Sequence, residues 1–180
     1  AKNLSAGMTN FIWALDPAHD SLADTLLHLK DFGDGFFHGT EVSFWASETP
    51  PEAHVIKLSM NWRRNLTLIF KEAMNNVQKH AACKNVRLDA EIVGSKIIIR
   101  LSDDGVGFNG TIDSNGYGLR TMQRRAEKIN ARVEVRSLPD EGTQVQFTVI
   151  LSHIQDVPKQ EFAAGPMNKS QSQLQGEAIE

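Results

Sequence analysis

The sequence predicts an α+β domain, a two-layer sandwich in which one mixed β-sheet carries its helices on a single face. The longest helical pattern of apolar residues spans residues 57–82. Strand-like segments follow in adjacent pairs on either side of another helix, and this alternation is typical of a sheet covered by helices. The chain has 180 residues, which fits one domain with short appendages.

The first part of the chain predicts two helices. Residues 4–15 place apolar side chains at helical spacing, and Pro17 ends the pattern because proline disfavours helix in the residue before it. Ser21 and Asp24 form a capping-box pattern for a second helix, which we expect to end at Gly33.

The rest of the chain predicts the sheet and two further helices. Gly94 and Ser95 separate two branched apolar segments and indicate a hairpin. Pro50-Pro51 ends an early strand with a turn. The predicted strands are 41–45, 86–92, 96–101, 133–135 and 145–150, and the predicted helices are 57–82 and 119–129.

Three segments are expected from these patterns. Residues 1–34 would be the end of a longer helix and a connector, and residues 35–153 would be the main domain. Residues 154–180 are rich in Gln, Ser, Gly and Glu and would form a flexible tail, because such a composition buries too little apolar surface to order itself.

Charge and composition exclude several classes of protein. With 19 basic and 22 acidic residues, the net charge of −3 offers no diffuse positive field for nucleic acid. Cys83 is the single cysteine, which excludes an internal disulfide and a cysteine-based zinc site and fits a reducing compartment. The sequence has no apolar run of the length that a membrane span needs, so we expect a cytoplasmic location without direct membrane contact.

Polar residues form a stripe on the long helix. Glu72, Asn76, Lys79 and His80 are spaced so that an α-helix would place them on one face. Amide and carboxylate oxygens suit Mg²⁺, and an ammonium group suits phosphate charge. A solvated helix face explains the same spacing, so both interpretations stay open.

Two glycine-containing segments and one threonine follow. Asp103 follows the predicted strand of branched residues and would be fixed at a sheet end, and Gly105 and Gly107 after it would let a ligand approach the backbone. A plain turn explains these glycines equally well. The segment Gly116-Tyr117-Gly118-Leu119 opens the next helix, whose free amides could face a phosphate. Thr143 begins the last strand, where its hydroxyl could bind a ligand or only fit the sheet.

The order of these four segments resembles the N, G1, G2 and G3 boxes of the GHKL superfamily of Bergerat-fold ATPases. Further segments are similar to sensor histidine kinases of two-component systems, in particular the subfamily whose N box begins with Glu. They are Ile12-Trp13-Ala14-Leu15-Asp16-Pro17, Arg63-Arg64-Asn65-Leu66 with Phe70-Lys71-Glu72-Ala73, and Gly118-Leu119-Arg120-Thr121-Met122 with Arg125-Ala126. The resemblance covers about residues 4–151 and implies the Bergerat fold.

The resemblance also implies a role for each polar residue. Asp103 would accept a hydrogen bond from the adenine amine of ATP. Asn76 would hold Mg²⁺, and Lys79 would contact phosphate. Glu72 would orient or deprotonate the attacking group, and His80 would lie near the adenine or ribose.

The remaining box residues would shape the same pocket. By the resemblance, Thr143 would lie behind the adenine. Gly105, Gly107, Gly116 and Gly118 would form the pocket and the hinges of a short lid over residues 108–115, and Leu119 would follow as a further nucleotide-binding position.

One feature departs from the resemblance. Kinases of this type carry the phosphoacceptor histidine in a motif on the first dimerisation helix, and none of the six histidines of the chain lies in that motif. We therefore expect a catalytic domain that phosphorylates a histidine on a helix outside this sequence, with a homodimer formed through such helices and a response regulator as the next acceptor. A GHKL protein serine kinase of the anti-sigma-factor type and a non-catalytic nucleotide-binding interaction module are the alternatives.

Overall fold

A five-stranded mixed sheet organises the protein. The computed structural model describes residues 19–108 and 117–154. The strands lie in the order β1-β2-β3-β5-β4, with β1 parallel to β2 and every other neighbouring pair antiparallel. They are β1 (Ser43–Ala46), β2 (Asn85–Val93), β3 (Lys96–Asp103), β4 (Arg132–Ser137) and β5 (Thr143–Ile150). The predicted mixed sheet is confirmed, with each strand boundary within two residues of the sequence pattern.

Three α-helices accompany the sheet within the described residues. They are α1 (Leu22–Phe37), α2 (Met60–Asn76) and α3 (Tyr117–Glu127), with 3₁₀ turns at Pro51–His54 and Leu151–His153. Among the residues that the structure describes, no helix has the length and apolar character that crossing a membrane requires.

The two faces of the sheet differ in chemistry. Alternate side chains of β3 and β5 are buried against the helices, and the Phe147 ring packs edge-on against Trp62 and Phe70 of α2. The opposite face is polar and carries ion pairs such as that between Arg100 and Glu91, 2.6 Å apart. This alternation produces the two-layer sandwich that the sequence predicts.

Helix α1 begins as predicted and ends later than predicted. Ser21 and Asp24 form the capping box, since each side chain accepts from the other residue's backbone N–H. The expected end at Gly33 is wrong, because the helix continues to Phe37. Gly33 lies directly under the Phe44 ring, where a side chain would overlap it. This glycine therefore serves close packing between α1 and β1.

Helix α1 shares the core of the domain. Leu22, Leu26 and Leu29 are buried in the same cluster as the apolar residues of α2 and the sheet. The helix therefore runs across the expected boundary at residues 34–35. The predicted helix at 4–15 and the predicted tail lie outside the described residues, apart from the position of Ile154, which is buried.

Helix α2 is shorter than the 57–82 pattern and changes its geometry near its end. It begins after the N-cap Ser59, whose hydroxyl accepts from the Trp62 amide, and its α-helical part ends at Asn76. A π-helical turn, Val77–Ala81, follows, and Ala82 closes it in the left-handed conformation with φ of 48°. Hydrophobic periodicity shows neither feature, and π turns often occur at functional sites.

Candidate functional site

The end of α2 meets the beginning of α3 at one glycine. Glu72 and Asn76 are both half-buried, and Gly118 of α3 lies against their side chains. A methyl group on Gly118 would overlap Glu72 Oε1 and would lie 3.5 Å from Asn76 Nδ2. The structure therefore brings together three of the predicted site residues, from segments more than forty positions apart.

Lys79 and His80 occupy a different setting. Both lie on the π turn and both are exposed. Because a π turn is wider than an α turn, the spacing that predicts one common helical face holds for Glu72 and Asn76 only. Lys79 and His80 belong to the same end of the helix, with their side chains in solvent.

A second group of predicted residues lies at one end of the sheet. Asp103 is the last residue of β3 and pairs with Thr143, the first residue of β5. Thr143 in turn pairs with Ser137, the last residue of β4. The three side chains form a row across neighbouring strands, on the face that the helices cover.

One oxygen of the Asp103 carboxylate accepts hydrogen bonds from the backbone. Its Oδ1 accepts from the amides of Gly105, at 2.9 Å, and Thr143, at 3.3 Å. Within the described residues, Oδ2 has no hydrogen-bond partner. Burial raises the pKa of Asp103, and the two backbone hydrogen bonds oppose this shift. Asp103 is thus a half-buried acceptor with one oxygen available to a ligand.

The neighbouring Asp104 has a structural role. Its carboxylate accepts from the amides of Lys84 and Asn85, at 2.9 and 2.8 Å, and from Asn85 Nδ2 at 2.7 Å. Hydrogen bonds from Asn85 hold the pKa of Asp104 below its usual value. This carboxylate ties the end of β3 to the beginning of β2.

The loop after β3 joins the sheet to the π turn. Val106 donates its amide to the carbonyl of Ala81 at 2.8 Å, and Gly105 lies directly on that carbonyl, where no side chain has room. Gly107 has φ of 56°, a conformation that side chains rarely adopt. Gly105 and Gly107, two of the glycines predicted to shape a pocket, therefore hold the loop between Asp103 and the end of the π turn in place.

A cavity of about 260 Å³ lies at the same end of the sheet. Its lining includes Asp103, Ser137, Gly142 and Thr143 together with Ser102, Arg136 and Gln144 of the opposite face, and it contains none of Glu72, Asn76, Lys79 and His80. Ser137 is well connected: its hydroxyl accepts from the Phe108 amide at 2.9 Å, donates to the Gly142 carbonyl at 2.9 Å and lies 3.0 Å from Thr143 Oγ1.

The remaining predicted residues divide into two cases. Leu119 is half-buried and packs against the core. Gly116 and residues 109–115 of the predicted lid lie outside the described residues.

Comparison with known proteins identifies the family. Residues 63–153, half of the chain, match the family described as histidine kinase-, DNA gyrase B- and HSP90-like ATPases. The chain belongs to this ATPase family. The match begins in α2 and ends after β5, so it contains both groups of site residues, and the family name implies the use of ATP.

Curated relatives of the ATPase domain are a sensor histidine kinase and sensor proteins. The chain is 33% identical over 86 residues to the sensor histidine kinase LiaS of Bacillus subtilis, covering 47% of this chain and 24% of LiaS. It is 32% identical over 95 residues to the sensor protein VraS of Staphylococcus haemolyticus, covering 51% of this chain and 27% of VraS. The chain thus spans about a quarter of the length of these relatives.

Solved structures agree on the fold of the ATPase domain. The histidine kinase domain of the blue-light activated kinase of Erythrobacter litoralis superposes with a TM-score of 0.60 at 18% identity, covering 76% of this chain and 65% of that one. The histidine kinase AdeS of Acinetobacter baumannii gives 0.57 at 10% identity, covering 73% and 66%. The predicted two-layer sandwich of the GHKL type is confirmed.

Sequence reasoning missed two features of this ATPase domain. The π turn leaves no apolar signature, since its residues continue the helical pattern. Ser137 enters the site through the β4–β5 pairing, and its only sequence signal is its place at the end of a strand, six residues before Thr143.

Proposed function

We propose that this chain is the ATP-binding catalytic domain of a two-component sensor histidine kinase. The observation that carries the proposal is the convergence at Gly118, where the carboxylate of Glu72 and the amide of Asn76 meet the first turn of α3. The ATPase family of the chain and its sensor-kinase relatives support the same activity.

In this proposal the two groups of site residues bind opposite ends of ATP. Asp103 and Thr143 would bind the adenine, because the carboxylate offers an acceptor in a half-buried position. The glycines of the β3–α3 segment, Gly105 and Gly107 among them, would let the nucleotide approach the backbone. Leu119, Gly116 and Gly118 would complete the nucleotide site from the side of α3.

The phosphates would lie towards α2 and the first turn of α3. A helix N-terminus presents free amides that favour negative charge, and exposed Lys79 can reach a phosphate as a mobile cation. His80 would lie near the nucleotide. Glu72 would orient or deprotonate the attacking group at the γ-phosphate, and positioning of that kind supplies much of the rate in phosphoryl transfer.

The residues present fit a magnesium ion bound together with the nucleotide. Mg²⁺ prefers hard oxygen ligands and commonly takes one or two from the protein and the rest from phosphates and water. The side-chain oxygen of Asn76, with the Glu72 carboxylate beside the same glycine, is such a donor. When bound, the ion would neutralise charge on the β- and γ-phosphates.

The partners and the division of the chain are part of the proposal. The acceptor would be a histidine on a dimerisation helix outside this sequence, in a homodimer, and a response regulator aspartate would receive the phosphoryl group next. Residues 1–34 would be the end of that region with its connector and residues 35–153 the catalytic domain, with α1 crossing this boundary and packing into the core of the catalytic domain. The whole would work on the cytoplasmic side.

Nucleotide-dependent unfolding tests the proposal directly. We expect ATP with Mg²⁺ at about a hundred times its Kd to add about 2.7 kcal/mol of stability, a shift of about 5–10 °C in Tm. Asn76→Asp should abolish most of this shift, whereas Asn75→Asp, one position earlier on the same helix, should preserve it. No shift with any adenine nucleotide would contradict the proposal.

A transfer assay separates the proposed kinase from the serine-kinase alternative. Incubation with γ-labelled ATP and a dimerisation-helix polypeptide of a sensor kinase should give an acid-labile label, as phosphohistidine does. An acid-stable label on a protein serine would favour the anti-sigma-factor type. Binding without transfer to any acceptor would favour the interaction module.

A further inference from the structure

Ser137 has a hydroxyl whose hydrogen-bonding capacity is completely used. A serine hydroxyl has one hydrogen to donate and two lone pairs to accept with. The Phe108 amide can only donate, so it occupies one lone pair at 2.9 Å. The Gly142 carbonyl can only accept, so it takes the single hydrogen, also at 2.9 Å.

This arrangement determines the direction of the remaining hydrogen bond. Ser137 Oγ and Thr143 Oγ1 are 3.0 Å apart, and distance alone allows either to donate. Because the hydrogen of Ser137 is engaged by Gly142, the hydrogen bond must run from Thr143 to Ser137. The hydroxyl of Thr143 therefore donates its only hydrogen to Ser137 Oγ.

Thr143 is left with acceptor capacity only. Within the described residues, no donor reaches its Oγ1, so its lone pairs are available to a ligand. Asp103, the neighbour of Thr143 in the sheet, offers Oδ2 in the same way, because its Oδ1 is occupied by the Gly105 and Thr143 amides. This end of the sheet thus presents two acceptors on neighbouring strands of the face that the helices cover.

We propose that Ser137 is a positioning residue for base specificity, which holds the Thr143 hydroxyl as an acceptor so that the site favours a purine with an amine at C6 over one with a carbonyl. The inference rests on the proposed nucleotide-binding function and adds a residue to it. An amine at C6 has two N–H donors for the two acceptors. A purine with a carbonyl at C6 has one N–H there, at N1, so one acceptor would face the carbonyl and stay unpaired.

Discrimination between ATP and ITP tests this role, since ITP replaces the C6 amine by a carbonyl and the N1 acceptor by an N–H, so that it has one donor at this edge where the ATP amine has two. The readout is the ratio of the two dissociation constants, measured by titration of the full 180-residue chain. In Ser137→Ala the Thr143 hydroxyl is free to turn its hydrogen towards the ligand. We expect the preference for ATP to fall by about tenfold, because ITP then gains a donor and ATP loses an acceptor.

Two variants serve as controls for this experiment. Ser137→Thr retains a hydroxyl at the same place on β4 and should restore the preference for ATP. Ser47→Ala removes a hydroxyl that accepts from the Ala90 amide at 3.2 Å and is not part of the cavity lining. It should leave the ratio of dissociation constants unchanged.

A double-mutant cycle shows whether Ser137 acts through Thr143. In Thr143→Val the acceptor is absent, so adding Ser137→Ala should not change the ratio further. This comparison also remains informative where Ser137→Ala alone lowers Tm, because both members of the pair then lack Thr143.

The outcomes distinguish this inference from the function on which it rests. If Ser137→Ala weakens ATP and ITP by the same factor, Ser137 is only structural and the inference is overturned, while the nucleotide site remains. If the unaltered chain binds both nucleotides equally, the inference is likewise overturned. If it binds neither, the proposed function fails as well.

Discussion

Replacement of Asp103 by Asn separates ligand binding from folding at this site. The side-chain oxygen of Asn can still accept from the Gly105 and Thr143 amides, which now bond Oδ1. The other oxygen becomes an NH₂ group. Loss of the negative charge weakens two hydrogen bonds but also removes the cost of burying that charge. We expect the free energy of unfolding to change by less than about 1 kcal/mol, or about 2–4 °C in Tm.

The same change should weaken adenine nucleotides strongly. An amine that donates to Oδ2 in the unaltered protein would meet another donor in Asp103→Asn. A hydrogen bond to a charged group contributes about 1.5–3 kcal/mol. Its loss, with the two donors facing each other, corresponds to a fall in affinity on the order of 10². Calorimetric titration with ATP, and Tm with and without ATP, measure both quantities.

Asp104→Asn is the matched control, since the next carboxylate has the opposite role. Its three hydrogen bonds from Lys84 and Asn85 hold the strands together and lie outside the cavity lining. We expect this variant to lose about 1–2 kcal/mol of stability and to bind ATP as the unaltered protein does. Unchanged ATP affinity in Asp103→Asn, or a loss of affinity as large in Asp104→Asn, would refute the assignment of Asp103.

The pH dependence of Asp103→Asn follows from the direction of the pKa shift. Because burial raises the pKa of Asp103, the folded protein holds this proton more tightly than the unfolded chain. Ionisation of Asp103 therefore lowers stability as the pH rises from about 4 through the raised pKa. Urea unfolding at several pH values should show that Asp103→Asn lacks this loss, and an identical pH profile in both proteins would contradict it.

Three further predictions concern packing and charge. Gly118→Ala should leave Tm nearly unchanged, because the flexible Glu72 carboxylate can move away by on the order of 1 Å. The rate of phosphoryl transfer should nevertheless fall by about 10²-fold, because that carboxylate is displaced. Equal transfer rates in the variant and the unaltered protein would contradict the role of the carboxylate. In α1, Gly33→Ala should lower the free energy of unfolding by about 1–3 kcal/mol, because the new methyl group overlaps an aromatic ring of β1. Gly35→Ala meets nothing within 4 Å and should raise the free energy of unfolding by about 0.5–1 kcal/mol. Urea unfolding measures both changes, and the same sign in both would refute this contrast. Burial and a nearby lysine lower the pKa of His28 to about 4. The free energy of unfolding should therefore fall by about 1–2 kcal/mol, after allowance for solvent screening, as the pH drops from about 6.5 to 4. Urea unfolding of His28→Gln should show a smaller dependence on pH over this range.

Most of the architecture could be predicted from the sequence because its signals are local. The capping box at Ser21, the hairpin at Gly94-Ser95 and the alternation of buried residues along β3 and β5 each depend on neighbouring residues, and the structure has all of them. The end of α1 was predicted wrongly at Gly33. A glycine that ends a helix and a glycine that makes room for a ring on β1 look the same in sequence.

The candidate site was predictable as a set of residues and not as an arrangement. The order of Glu72, Asn76, Asp103 and Thr143 along the chain is enough to indicate the family, because each residue stands in a short pattern. Their separation into two groups, one at Gly118 and one at the end of the sheet, depends on how α2, α3 and the strands pack. The site roles that we assign to these residues stay predictions until the variants are measured.

The sequence by itself determined the element order and the chemical types at the site, since these follow from periodicity and spacing, and the order of its motifs indicated the family by resemblance. Only the tertiary structure decided which groups meet and in which direction their hydrogens point. The π turn after Asn76 and the row of Asp103, Thr143 and Ser137 arise from strand register and helix packing. The hydrogen bond from the Phe108 amide to Ser137 joins residues 29 positions apart, and the hydrogen bonds of Ser137 with Gly142 and Thr143 depend on the pairing of β4 with β5. The role of Ser137 therefore emerges only when the strands are paired.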